Sequence, residues 1–210
     1  MEQQLNNFSY VKLLSIDEIA EPYKAVHSLI REYDLTYLRQ TVSDWMASVY
    51  KAGSWIEEMS GNFLYFYENL LKIIESAWII QKIDNSTRLA NLTISYNIDE
   101  IELMDTKFYC KPADKIYSWD YFPRSLSRKE YINPYKALTK FFKFYSLPKW
   151  KNQLENILYI SIRDNSTLSG GSINILNVKK HLNKLIDACH LIVVREFESF
   201  NTQLKYYNYL

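Results

Sequence analysis

A chain of 210 residues with 25 basic and 24 acidic side chains carries a formal charge of +1, and its 48% hydrophobic and 23% charged residues are ordinary for a globular protein with a real core. Four glycines and five prolines are too few for a sandwich or barrel full of tight turns, so the composition favours long helices. Cys110 and Cys189 have neither a framework spacing nor a metal-ligand spacing, which excludes a disulfide scaffold and a cysteine metal site.

The start "MEQQLNNFSY" has no basic segment followed by an apolar one, so no secretory signal is expected and a cytoplasmic location is. Ser15-x-x-Glu18 is a capping box, in which hydroxyl and carboxylate satisfy the orphan N–H groups of a helix start. Tyr23, Val26, Ile30 and Tyr33 follow at helical spacing. Leu38, Val42, Trp45, Met46 and Val49 then mark one face of a second helix, and the polar loop "KAGS" ends it. The stretch "FLYFYENLLKIIESAWII" is interrupted by Glu68, Lys72 and Glu75 on a helical period. It reads as a buried or amphipathic third helix of roughly six turns and not as a membrane span.

Residues 84–123 form a connecting segment. Its "LTISYNIDEIELMD" alternates apolar and polar residues around "NID", the pattern of one short β-hairpin and the only sheet the chain suggests. Ser127-x-x-Glu130 is another capping box, and Asn133 followed by Pro134 is a second start signal, with asparagine at the N-cap and proline at the first helical position. Tyr135, Leu138, Phe142 and Tyr145 define the next helical face. Pro148 opens another, with Trp150, Leu154, Ile157, Leu158 and Ser161 together. After "RDNSTLSGGS" comes a further apolar helix.

The tetrapeptide "PYKA" occurs in both series, at residues 22–25 and 134–137, and the match extends without a gap at an offset of 112. Residues 12–83 and 124–195 share 17 identities over 72 positions, where unrelated sequences would share about four or five. Substitutions such as Val26 against Leu138 and Val42 against Leu154 keep the apolar pattern. The expected fold is therefore all-α: an internally duplicated three-helix unit, arranged as a pseudo-twofold helical bundle. The first repeat spans 12–83, the second 124–195, and 196–210 is a C-terminal tail. Packing of the two long third helices on each other would bury the surface that one unit leaves exposed.

Chemistry-bearing motifs are scarce. His27, His181 and His190 face Thr139, Asn69 and Trp78 in the other copy, so no histidine is shared. Asp187 and His190 stand at i, i+3, where the carboxylate could orient the imidazole, but a lone helical histidine is more often structural. Gly170-Gly171 lacks the lysine of a phosphate loop, and no nucleophile elbow or zinc-binding His-Glu-x-x-His occurs. No catalytic residue, metal site or cofactor is expected. Lys72 with Glu75, and Lys184 with Asp187, read as ordinary surface ion pairs within each third helix.

Charge separates the copies. Residues 12–83 hold seven basic and ten acidic side chains, a net of −3, and residues 124–195 hold thirteen and four, a net of +9. Lys136, Lys140 and Lys143 form a stripe at i, i+4, i+7, with Arg124 and Arg128 just before it. These five residues are the candidate partner-binding set. The favoured reading is a non-enzymatic interaction or regulatory module that meets a protein or an acidic surface, the "DEIELMD" segment of the same chain included. Nucleic acid held by the basic second copy is the alternative. An enzyme with a site between the copies, leaving no linear motif, is the third.

Overall fold

Both capping boxes form. In the first, the Glu18 N–H donates to Ser15 Oγ at 3.2 Å and the Ser15 N–H donates to Glu18 Oε2 at 2.7 Å. In the second, the N–H and the hydroxyl of Ser127 both donate to Glu130 Oε2 at 2.8 Å. The structure, a computed structural model, describes residues 9–50, 60–83, 99, 104–110, 118–162 and 174–198.

The first series of helices is α1 (Ile16–Ala20), α2 (Pro22–Glu32), α3 (Leu35–Ser48) and α4 (Ser60–Lys82). The second is α5 (Arg128–Ile132), α6 (Tyr135–Phe144), α7 (Leu147–Ile162) and α8 (Ile175–Ile192), which runs on as a π-helical stretch, Val193–Glu198. Asn133 Oδ1 accepts the Tyr135 N–H at 3.1 Å, although α6 begins one residue later than expected, with Pro134 and not Asn133 at its N-cap. Between the series, Thr106–Phe108 makes one 3-10 turn. No strand occurs among the described residues. The hairpin expected over 92–105 falls outside them except for Asp99, Met104 and Asp105.

The helix limits repeat at the offset of 112. α1 and α5 coincide at both ends, α2 and α6 at their ends, and α3 and α7 at their starts. The predicted apolar faces are the buried ones. Leu38, Val42, Trp45, Met46 and Val49 are buried in the first series, and Trp150, Leu154 and Ile157 in the second. Trp45 and Trp150 are fully buried, and each indole N–H has a partner: Trp45 donates to Ser161 Oγ at 3.1 Å and Trp150 to the Phe141 carbonyl at 3.0 Å. One hydrophobic cluster runs through both series and contains Leu70, Ile74, Leu182 and Ile186.

Partnership within that cluster differs from the expectation. The long helices were expected to meet each other, but α4 packs on α2 of its own series and on α6 and α7 of the other. Likewise α8 packs on α6 and on α2 and α3 across the divide. The two series are interleaved, not stacked. A small second cluster joins Phe108, Tyr109 and Cys110 of the connecting segment to Tyr131, Ile132 and Leu191. Arg195 secures it from the inside. Nearly fully buried, it donates from Nε to the Phe108 carbonyl at 2.7 Å and from Nη1 to the Tyr131 carbonyl, and it lies 4.5 Å from the centre of the Tyr131 ring.

Candidate functional site

Three carboxylates with no exposed side-chain surface organise the charges. Glu75 and Asp187 are not members of surface ion pairs within their own helices, which corrects the sequence expectation. Glu75 Oε1 accepts from the Lys12 N–H at 3.0 Å and from Lys151 Nζ, and its Oε2 accepts from the Leu13 N–H at 2.9 Å and the Leu14 N–H at 3.2 Å. Asp187 Oδ1 accepts from Arg39 Nε at 2.8 Å and Nη2 at 2.6 Å, and Oδ2 accepts the Ser125 N–H at 2.9 Å. The cations also tie down the chain ahead of α1 and α5. Lys151 Nζ donates to the Tyr10 carbonyl at 2.7 Å, and Arg39 Nη2 to the Phe122 carbonyl at 2.8 Å.

Four members of the first set have counterparts 112 positions away: Glu75 and Asp187, Lys151 and Arg39, Leu13 and Ser125, Tyr10 and Phe122. The Lys12 and Leu14 amides have none, since Arg124 and Leu126 donate to the Phe122 and Pro123 carbonyls. The cation always comes from the other series. Tyr23 and Tyr135, also 112 apart, meet hydroxyl to hydroxyl at 3.3 Å. An identity count overlooks Arg39 against Lys151, because it scores an exchange of one cation for another as a mismatch. A search for opposite charges at mirrored offsets would have found them. Burial raises the Asp187 carboxyl above its ordinary range, outweighing the Arg39 guanidinium and the Ser125 hydrogen bonds that pull it down.

Glu130, the third buried carboxylate, accepts from Lys140 Nζ at 2.8 Å and Lys184 Nζ at 2.7 Å, besides closing the capping box. Burial by itself would raise its pKa, but the two ammonium groups and the Ser127 donors prevail and bring it down to about 2. Lys72 approaches Glu18, the counterpart of Glu130, at 3.9 Å. Thus the shared lysines of the third helices serve the capping-box glutamates.

Lys136, Lys140 and Lys143 all lie exposed on α6, whose opposite face puts Leu138 and Phe141 in the core. Arg124 and Arg128 are exposed as well, and Arg124 is 3.8 Å from Asp120. The stripe is therefore a surface feature, with Lys140 anchored inward through Glu130. Of the acids in "DEIELMD", Asp105 pairs with Lys107 at 2.9 Å. Aromatic rings near the stripe are largely engaged with one another. Phe141 stacks on Trp150 at 4.1 Å, Phe144 on His181 at 4.1 Å, and Tyr145 meets Trp150 edge-on at 5.1 Å.

The remaining reactive side chains are committed to structure. His190 is buried and donates from Nε2 to the Tyr109 carbonyl at 2.7 Å, while Asp187 faces Arg39, so the two make no catalytic pair. Burial lifts the Cys189 thiol to about 12, which removes it as a nucleophile. His181, half-buried, has its pKa lowered by burial first and then by Lys184 and Lys180. Among the described residues, no grouping of three His, Cys, Asp or Glu side chains could hold a metal ion, and no helix is long and apolar enough to cross a membrane.

No known protein family, curated protein or solved structure matches this chain.

Proposed function

We propose that the protein is a non-enzymatic helical interaction module, built from two copies of one unit, that docks an acidic partner protein on Lys136, Lys140, Lys143, Arg124 and Arg128. Duplication is supported by the two carboxylate–cation sets at an offset of 112. It is supported too by the contact of Tyr23 with Tyr135, because a residue touches its own counterpart only at a twofold axis. One observation carries the functional reading. The second series keeps Lys136 and Lys143 exposed on α6, on either side of Lys140, whose ammonium is also exposed while it pairs with the buried Glu130.

Such a row attracts carboxylates or phosphates alike. Acidic protein is favoured over nucleic acid because the neighbouring aromatic rings stack on each other and leave few platforms for bases. The test compares binding of a glutamate-rich peptide and of mixed-sequence RNA at about 50 mM salt, where phosphate contacts are strong. The expected result is peptide binding that is lost in a Lys136→Glu, Lys143→Glu double variant with an unchanged melting temperature. RNA binding tighter than peptide binding, with a steep salt dependence, would transfer the stripe to nucleic acid.

A further inference from the structure

Beyond the last lysine of the stripe lies an open groove of about 320 Å³. Trp78 and Lys82, at the end of α4, form one wall, and Thr139, Phe142 and Lys143 of α6 form the other. Tyr10, Leu147 and Pro148 also line it, with Gln81 and Ser146. None of these residues is acidic, and the two lysines stand exposed on opposite walls. The volume sits at the low end of small-molecule pockets, enough for one large side chain and some backbone.

The molecule itself shows how such a place is filled. At the positions 112 residues away, His190 replaces Trp78 and Ile30 replaces Phe142. His190 is 1% exposed because the connecting segment lies over it: Tyr121 stacks on its ring at 5.9 Å and the Tyr109 carbonyl accepts from Nε2. Val193–Glu198 continues across α2 on the same side. Phe122 packs edge-on against Tyr109 at 5.2 Å, whereas its counterpart Tyr10 is 55% exposed. A connecting segment with short 3-10 turns, carrying Tyr109, Tyr121 and Phe122, thus covers His190. At Trp78, its counterpart, the described residues leave a lysine-flanked groove.

We infer that this groove receives a tyrosine or phenylalanine from an extended acidic segment of a partner protein. The ring enters beside Trp78 and Phe142, and the carboxylates on either side of it meet Lys82 and Lys143. This inference rests on the docking stripe proposed above, since Lys143 belongs to both and the rest of the segment runs on toward Lys136. Edge-to-face contact with Trp78 and Phe142 is the geometry that aromatic pairs favour. Carboxylates at both lysines fix the direction of the segment.

The test uses the full chain and three labelled peptides: one tyrosine flanked by glutamates, the same peptide with Tyr→Ala, and the tyrosine flanked by lysines. Binding is followed by NMR titration. The tyrosine–glutamate peptide should bind roughly tenfold or more tighter than its alanine form, as burial of one aromatic ring implies, and the lysine-flanked peptide should not bind. Thr139→Trp, which fills the groove, should abolish the difference between the tyrosine and alanine forms. Lys82→Glu, on the exposed rim and outside the stripe, should weaken the tyrosine–glutamate peptide without altering the melting temperature. Equal binding of the tyrosine and alanine forms, both lost in Lys136→Glu, Lys143→Glu, would overturn the groove and leave the stripe standing. Failure of either acidic peptide to bind would overturn both. Shifts confined to residues away from Trp78, Thr139 and Phe142 would overturn the groove alone.

Discussion

Glu130 sits where burial and charge pull in opposite directions. Its side chain has no exposed surface, yet two ammonium groups and the Ser127 donors hold its pKa at about 2 against an ordinary 4.5. The folded value lies below the unfolded one, so the stabilisation is fully present above about pH 4.5 and drains away as the pH falls toward 2. At 1.36 kcal/mol per pH unit it amounts to roughly 3 kcal/mol. Glu130→Gln should therefore lower stability at neutral pH by an amount of that order and flatten the acid limb of the stability curve. Urea unfolding at a series of pH values measures both, and an unaltered acid limb would contradict the assignment. The same geometry separates the stripe lysines. Lys140→Glu sets a second carboxylate against Glu130 and should cost about 1–3 kcal/mol. Lys143→Glu, exposed on the same helix, should stay within about 0.5 kcal/mol. Equal costs in a denaturant titration would show that Lys140 is not anchored through Glu130.

At the scale of elements, the long helices carry one buried carboxylate each and meet a cation from the other series. Lys151→Met leaves Glu75 buried with backbone donors and no counter-charge, and removing one partner of a buried pair costs about 3–5 kcal/mol. Lys151→Arg should be tolerated within about 1 kcal/mol, because Arg39 already fills the counterpart role toward Asp187. Thermal unfolding ranks the two variants, and an arginine as damaging as the methionine would break the equivalence. Ile74→Ala, in the middle of α4 and fully buried, should cost about 2–5 kcal/mol on the same assay. Much of this level was legible in sequence. Capping boxes, Asn-Pro and the spacing of Leu38, Val42 and Trp45 are local signals, and they gave helix starts and buried faces. Which helix packs on which is a long-range matter that periodicity does not encode. Two long apolar faces suggested mutual packing, although each is covered by shorter helices of both series. Glu75 and Asp187 were misread for the same reason, since a lysine three residues away looks like a partner until a cation from across the molecule takes the carboxylate. Lys136, Lys140 and Lys143 could be placed on the surface because the opposite face of one helix is apolar. The inward pairing of Lys140 depended on how α5 meets α6 and was invisible.

Interleaving sets the behaviour of the whole molecule. A half cut from the chain would expose the face of its long helix that the other half covers, and would hold a buried carboxylate without its cation. Each half alone lacks helices that cover its long one, so its own core should not suffice to fold it. Charge then decides which halves pair. With −3 over residues 12–83 and +9 over 124–195, two second halves repel one another, whereas a first and a second half attract. Separately produced fragments 9–99 and 104–198 should each show weak helicity and no cooperative melt. Mixed in equal amounts, they should regain helicity as a heterodimer whose midpoint falls with added salt, because part of the attraction between the halves is screened charge. Circular dichroism with sedimentation measures both properties. A cooperative melt from either fragment as a monomer would mean that the series are separate domains, and the carboxylate–cation contacts between them would then be ornaments of an interface and not the condition for folding.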